Sequence, residues 1–230
     1  MMRAYFKRDE TVSFYGVPLP VVRRVARDVW HRHRAWTVPS AIRLCDTLIR
    51  VPELEVKCVG VLVLARWHGA FPRGLLRTVR GWLGAGHCAS WAAVDLVAPS
   101  LLTPLVRHYP DLIATVGAWT GARSTWVRRA AAVTFVPLAR RGQELDAAYG
   151  IAERLFPDTN DLIHKAVGWM LREAGKTDPR RLERFLLRHG PRVPRTTLRY
   201  AIERFPPARR RRLLRETRSG RSDRPRHRRS

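Results

Sequence analysis

Residues 88–106 read CASWAAVDLVAPSLLTPLV, and this segment determines how the rest of the chain is interpreted. Asp95 is the only charged residue in it. Trp91 stands four residues earlier, and residues four apart lie on one face of a helix. The indole and the carboxylate are therefore predicted to point the same way from a largely buried segment. Pro99 predicts that the segment forms two short helices rather than one.

The chain around this segment is strongly basic. Its 230 residues contain 44 Lys and Arg against 19 Asp and Glu, a formal net charge of +25. Basic faces concentrate phosphate and release counterions on binding, which favours a nucleic-acid partner. Nearly all of these residues are Arg, and a GC-rich genome would produce the same bias. Charge alone leaves both explanations open.

Cysteine usage and the N-terminus indicate a cytoplasmic protein. Cys45, Cys58 and Cys88 form no CxxC pair, which favours reduced thiols over a disulfide framework. The N-terminal residues MMRAYFKRDE lack the apolar run of a signal peptide. Prolines and Asp95 within residues 88–106 favour buried helices over a membrane span. No histidine or cysteine spacing suggests a metal site, and neither metal nor cofactor is expected.

The apolar pattern along the chain is helical almost throughout. Apolar residues recur at helical spacing between Pro and Gly turns, and period-two alternation is nearly absent. Paired helices of this length predict an all-α, degenerate α-solenoid of HEAT-like repeats over residues 1–205, with a compact irregular helical bundle as the alternative. Residues 206–230 are assigned to a basic, disordered C-terminal tail. This tail either raises nonspecific DNA affinity or only solubilises the chain.

Two further segments carry candidate binding residues. In NDLIHKAVGWMLREAG, Asn160 is a candidate helix cap, and Trp169 lies off the apolar stripe between Lys165 and Arg172. A tryptophan among cations suits stacking against a sugar or base beside phosphates, although most tryptophans belong to the core. In TWVRRAAAV, Arg128 and Arg129 are adjacent, so they cannot both face the core.

These motifs together resemble a known family. SWAAVD, WVRRAAAV and KAVGWMLREAGKTDP, in this order, are similar to the DNA alkylation repair glycosylases of the AlkD type, as are the opening MRAYFK and the late PRTTLRYAIERF. The resemblance covers about residues 3 to 205. It implies a HEAT-like α-solenoid whose basic concave face holds duplex DNA, acting as a monomer associated with the nucleoid.

The resemblance also assigns roles to individual residues. It places the catalytic carboxylate on Asp95, the aromatic walls on Trp91 and Trp169, and a phosphate-gripping guanidinium on Arg129. Tyr5 would line the DNA cleft, and Arg128, Lys165 and Arg172 are further candidate DNA contacts. The activity implied is hydrolysis of the N-glycosidic bond of cationic alkylated purines such as 3-methyladenine and 7-methylguanine.

The chemistry of these residues agrees with that activity. A cationic purine leaves without an added proton, so one carboxylate that stabilises the oxocarbenium ion and positions a water is sufficient. The SWAAVD motif has no lysine for a Schiff base, so a monofunctional glycosylase without lyase activity is expected. Asp95 could instead be a buried structural residue that caps a helix or pairs with an arginine.

Two other functions remain alternatives. The first is a non-catalytic HEAT-like protein that binds branched or damaged DNA, and the presence of Asp95 argues against it. The second is a helical-repeat scaffold for proteins, which would not need the set of Trp91, Trp169 and Arg129. The sequence does not distinguish base flipping from attack on a stacked nucleotide, nor does it identify the preferred lesion.

Overall fold

The computed structural model describes residues 13–218, which divide into two compact units. One unit ends at Phe135 and the other begins at Val136. Across residues 13–218 the regular structure is helical, apart from an isolated β-bridge between Ser13 and Glu53. The predicted all-α class is therefore confirmed. In the same range no helix is long and apolar enough to cross a membrane.

The first unit is built from short helices joined by Pro and Gly turns. Its α-helices are α1 (Leu19–Arg32), α2 (Val38–Leu48), α3 (Leu54–Leu64), α4 (Leu75–Gly84), α5 (Trp91–Val97), α6 (Thr103–His108), α7 (Leu112–Ala118) and α8 (Thr125–Val133). Proline occupies the first turn of α1 and of α2, where its missing N–H costs nothing. The apolar helix α3 packs against α1, α2 and α5 and forms the centre of this unit.

The second unit is organised around one long helix. Its α-helices are α9 (Val136–Ala139), α10 (Leu145–Leu155), α11 (Asp161–Thr177), α12 (Pro179–His189), α13 (Arg195–Ala201) and α14 (Pro207–Glu216). The central helix α11 contacts α9, α10, α12 and α13. The predicted cap at its start is confirmed, because the Asn160 side chain accepts a hydrogen bond from the Leu162 N–H at 2.9 Å.

The two short helices predicted around Asp95 are present as α5 and α6, but helical hydrogen bonding continues between them through Pro99. Helices α5 and α6 are joined by a π-helical turn at residues 98–102. Pro99 has no N–H to donate to the Asp95 carbonyl four residues back, so α-helical bonding cannot continue there. The chain widens instead, and the Thr103 N–H bonds to the Ala98 carbonyl five residues back. Such π turns occur frequently at functional sites.

The disorder predicted for residues 206–230 is wrong for the first part of that segment. Residues Pro207–Glu216 form α14, which packs on α12 through the fully buried Leu213. Arg195 anchors the end of α14 by donating to the Leu214 carbonyl and the Thr217 hydroxyl, each at 3.1 Å. The predicted disorder of residues 219–230 concerns positions outside the described residues.

Candidate functional site

Helix α5 presents Trp91 and Asp95 on the same side, as their spacing predicts. The Ser90 hydroxyl caps its start by accepting from the Ala93 N–H at 3.2 Å. Ala93, Val94 and Val97 are buried, whereas Trp91 and Asp95, one turn apart, remain half-buried. The local structure thus leaves an indole and a carboxylate partly open to solvent on a helix whose other side lies in the core.

Asp95 is held by Arg129 through two parallel hydrogen bonds. Arg129 Nε donates to Asp95 Oδ1 at 2.9 Å, and Nη2 donates to Oδ2 at 2.8 Å. The guanidinium comes from α8, which packs against α5 and follows Arg129 with three buried alanines that allow a close approach. The Arg129 side chain is 6% exposed and the Asp95 side chain 18%. The carboxylate is therefore the more open partner of the ion pair.

Burial and Arg129 shift the protonation of Asp95 in opposite directions. Burial raises the pKa of the Asp95 carboxyl above its ordinary value, and the charge and hydrogen bonds of Arg129 oppose that rise. Desolvation makes Asp95 a stronger base than a carboxylate in water. The two-point contact with Arg129 favours the ionised form and fixes the plane of the carboxylate.

The two adjacent arginines of α8, predicted to contact DNA, both form hydrogen bonds within the first unit. The donors Nε and Nη2 of Arg129 are directed at Asp95, so its first structural role is to orient that carboxylate. Arg128 is half-buried and donates from Nη1 to the carbonyls of Ala122 and Arg123, at 2.9 and 2.8 Å. These hydrogen bonds tie α8 to the preceding turn, and phosphate contacts by Arg128 and Arg129 remain predictions.

The other predicted aromatic residue and its two cations lie in the second unit, on α11. Trp169 is half-buried and shares one strip of the helix with Lys165 and Arg172, as the sequence pattern predicts. Both cations are engaged within this unit. Lys165 pairs with Asp161 at 2.9 Å, and Arg172 pairs with Glu203. The strip is therefore less positively charged than the sequence suggests.

A close contact between α11 and α13 depends on the residue before Trp169. A Cβ on Gly168 would lie 2.4 Å from the Tyr200 Cβ and 2.9 Å from the Thr197 carbonyl oxygen. Only glycine fits at that distance, so Gly168 allows α13 to approach α11 and fixes the position of this part of the helix. Nothing in the local sequence pattern indicates this role.

A basic pocket that the sequence analysis did not predict adjoins the start of α5. The cavity has a volume of about 230 Å³, and Arg50, Lys57, His87 and Ser90 are among its lining residues. Burial, and then the charges of Arg50 and Lys57, hold the pKa of His87 below its ordinary value. The cations of the pocket are Arg50, which also pairs with Asp46, and Lys57. Its lining comes from two separate segments of the chain, and its basic residues belong to none of the quoted motifs.

Two further predictions concern Tyr5 and the binding of metal. Tyr5, predicted to line a DNA cleft, lies outside the described residues. Among residues 13–218 no three His, Cys, Asp or Glu side chains are grouped as metal ligands.

The motif resemblance is confirmed by comparison with known proteins. The family model described as DNA alkylation repair enzyme matches residues 1–205. The chain belongs to the DNA alkylation repair enzyme family. A solved structure described as a predicted DNA alkylation repair enzyme from Enterococcus faecalis is similar over 89% of this chain and 92% of that chain, with a TM-score of 0.77. At 19% identity this similarity shows the fold alone, which is helical-repeat-like as predicted. No curated protein matches the chain.

Membership of the DNA alkylation repair family connects the chain to DNA as a partner. The residues that carry its candidate chemistry, Trp91, Asp95 and Arg129, all lie within the matched range. Helix α14 lies beyond that range, because the family match ends at residue 205. It is therefore a feature of this chain that the family model does not account for.

Proposed function

We propose that this member of the DNA alkylation repair family is a monofunctional glycosylase that hydrolyses the N-glycosidic bond of cationic N-alkylated purines in duplex DNA. The observation that carries the proposal is the Asp95 carboxylate. It is partly open to solvent, lies one turn from Trp91 and is fixed in orientation by Arg129. The proposed substrates are 3-methyladenine and 7-methylguanine nucleotides.

The proposed reaction needs an anion and a water but no general acid. The bond between C1′ and the purine nitrogen breaks, and its electron pair neutralises the positive charge of the departing base. Positive charge develops on the sugar at the same time, and the ionised Asp95 stabilises it electrostatically. A water then bonds to C1′ and loses a proton, for which the desolvated Asp95 carboxylate is the proposed acceptor.

Arg129 is proposed to act through Asp95 rather than on the substrate. Its two hydrogen bonds hold both carboxylate oxygens, which limits rotation of Asp95 and maintains its charge despite burial. Trp91, half-buried on the same side of α5, offers an electron-rich indole face to a cationic nucleotide. Arg50 and Lys57 offer two cations, and His87 a neutral imidazole, to a DNA phosphate at the pocket beside α5.

The alternative is a non-catalytic protein that binds branched or damaged DNA. The observation that favours it is the same ion pair, because a carboxylate bonded twice to an arginine also serves a purely structural purpose. The partial exposure of Asp95 argues against this alternative, since a purely structural pair gains nothing from solvent access.

The test is identification of the products from methylated duplex DNA. A glycosylase releases free 3-methyladenine or 7-methylguanine and leaves a continuous strand with an abasic site, which breaks only after alkali treatment. Strand breaks without alkali would contradict the monofunctional assignment. Salt-dependent DNA binding without release of any methylated base would support the non-catalytic alternative.

A further inference from the structure

The second unit carries an arginine-rich helix beyond the range that the family accounts for. Helix α14 contains five arginines, and Glu216 is its only acidic residue. Arg210, Arg211 and Arg215 are exposed, and within residues 13–218 none of them forms an ion pair with an acid. These three residues form the α14 arginine face.

The α14 arginine face points away from the surface by which the helix docks. At 100° per residue, Arg210, Arg211 and Arg215 fall within an arc of about 140°. Leu213 lies outside this arc, about 130° from its middle, and is fully buried against the unit. Arg209 and Arg212 both pair with Glu183 of α12. Docking thus neutralises two arginines and leaves the other three presented to solvent.

The surroundings of the α14 arginine face are also positive. Arg195 anchors the end of α14, and its pKa is lowered by burial and then by the charges of Arg218 and Arg199. Crowded cations destabilise one another unless an anion lies among them. Glu183, the acidic residue of α12 that contacts α14, is already paired with two arginines.

We propose that the α14 arginine face is an auxiliary binding surface for the phosphate backbone of duplex DNA. Guanidinium groups on a rigid, docked helix are suited to oriented bonds with phosphates and read no sequence. DNA is chosen as the polyanion because the family repairs alkylated DNA. This surface rests on DNA being the partner and does not depend on the proposed glycosylase activity.

The test measures binding of the full chain to an undamaged duplex at several salt concentrations. The variant Arg210→Gln/Arg211→Gln/Arg215→Gln is expected to bind more weakly, with a shallower dependence of log K on log salt. The slope should fall by about 0.9 for each phosphate that is no longer neutralised, and so by up to about 2.7. The corresponding triple lysine variant keeps the charges and should retain most of the slope.

The matched control removes the same three charges elsewhere. Arg23, Arg24 and Arg27 are exposed on α1, so their triple glutamine variant has the same net charge as the α14 variant. An equal decrease of slope in both variants would show that total charge matters rather than α14, and would overturn the proposal. An unchanged slope in the α14 variant would also overturn it. The same holds if the α14 variant binds DNA as wild type does but no longer binds anionic lipid vesicles or polyglutamate. Because the duplex is undamaged, none of these results depends on base release.

Discussion

Asp95 and Arg129, 34 residues apart in the sequence, form a two-point ion pair in which the arginine is almost fully buried and the carboxylate is not. This asymmetry links structure to the proposed activity. The buried partner fixes the geometry, while the more open partner is available to a substrate. The ion pair also makes separate predictions for stability and for catalysis.

Removing Arg129 should destabilise the fold. In Arg129→Met the Asp95 carboxylate stays buried without its cation, and breaking a buried pair in this way costs about 3–5 kcal/mol. The free energy of unfolding, measured with urea at neutral pH, should fall by at least about 2 kcal/mol. The double variant Asp95→Asn/Arg129→Met should be more stable than Arg129→Met alone. If the effects of the two substitutions on the free energy of unfolding simply add, Asp95 and Arg129 are not energetically coupled.

The deficit of Arg129→Met should also depend on pH. Burial raises the folded-state pKa of Asp95, and without Arg129 nothing opposes that rise. A carboxyl with a raised folded pKa favours the fold when protonated and disfavours it when ionised. The stability deficit relative to wild type should therefore shrink as the pH falls through that pKa. A stability deficit that is constant between about pH 4 and 8 would contradict this prediction.

Base release should decline on the acid side at a higher pH than an ordinary carboxyl would give. The proposed mechanism needs ionised Asp95, and burial raises the pKa of this group above its ordinary value. Activity is therefore expected above the raised pKa and should disappear as the pH falls through it. Single-turnover rates, corrected for spontaneous depurination, would measure this limb. A rate that stays constant down to about pH 4 would exclude Asp95 as the titrating group.

Arg129→Lys distinguishes orientation of Asp95 from binding to phosphate. Lysine keeps the positive charge but cannot make two parallel bonds to the carboxylate. We expect base release to fall by about tenfold or more, while the salt dependence of DNA binding stays as in wild type. In Arg129→Ala, a reduction of the salt slope by about one would instead support the phosphate contact predicted from the sequence.

Gly168 and Gly150 form a matched pair of helical glycines. In Gly168→Ala the new Cβ collides with Tyr200 and the Thr197 backbone, so α13 must move and stability should fall by more than about 1 kcal/mol. Gly150 on α10 has nothing within 4 Å of the position of a Cβ. Gly150→Ala should be neutral or stabilising by up to about 1 kcal/mol, because alanine favours the helix. Thermal unfolding of both variants checks the contrast.

Trp169 is predicted to stack against the DNA, and its substitution tests this role. Trp169→Ala should reduce base release by about tenfold or more, since stacking on an aromatic contributes about 1–3 kcal/mol. Trp169→Phe should retain part of the activity. Trp36→Ala, which removes a half-buried indole from the first unit, serves as the control. Equal decreases in Trp169→Ala and Trp36→Ala would assign Trp169 to general stability.

Much of the helical architecture could be predicted because its signals are local. The cap at Asn160 depends on residues two positions apart, and the shared side of Trp91 and Asp95 on residues four apart. Local patterns of this kind are set by helix geometry and survive in any tertiary context. The resemblance of ordered motifs then identified the family over the same residues that the family model matches.

The remaining features depend on packing between distant segments. The pairing of Asp95 with Arg129 requires α5 and α8 to meet, which no spacing in either motif reveals. The charge of α14 suggested disorder, because Leu213 is a weak apolar signal among five arginines and the stabilising Glu183 comes from α12. The basic pocket likewise collects Arg50, Lys57 and His87 from separate segments of the chain.

The central claim is that Asp95 performs the chemistry, and the most direct measurement is the single-turnover release of 7-methylguanine and 3-methyladenine by Asp95→Asn. Asparagine keeps the shape of the side chain and removes its negative charge. We predict that Asp95→Asn binds methylated duplex DNA with near wild-type affinity but loses most of its base release. The control Asp28→Asn on α1 should behave as wild type. Base release by Asp95→Asn at the wild-type rate would contradict the account.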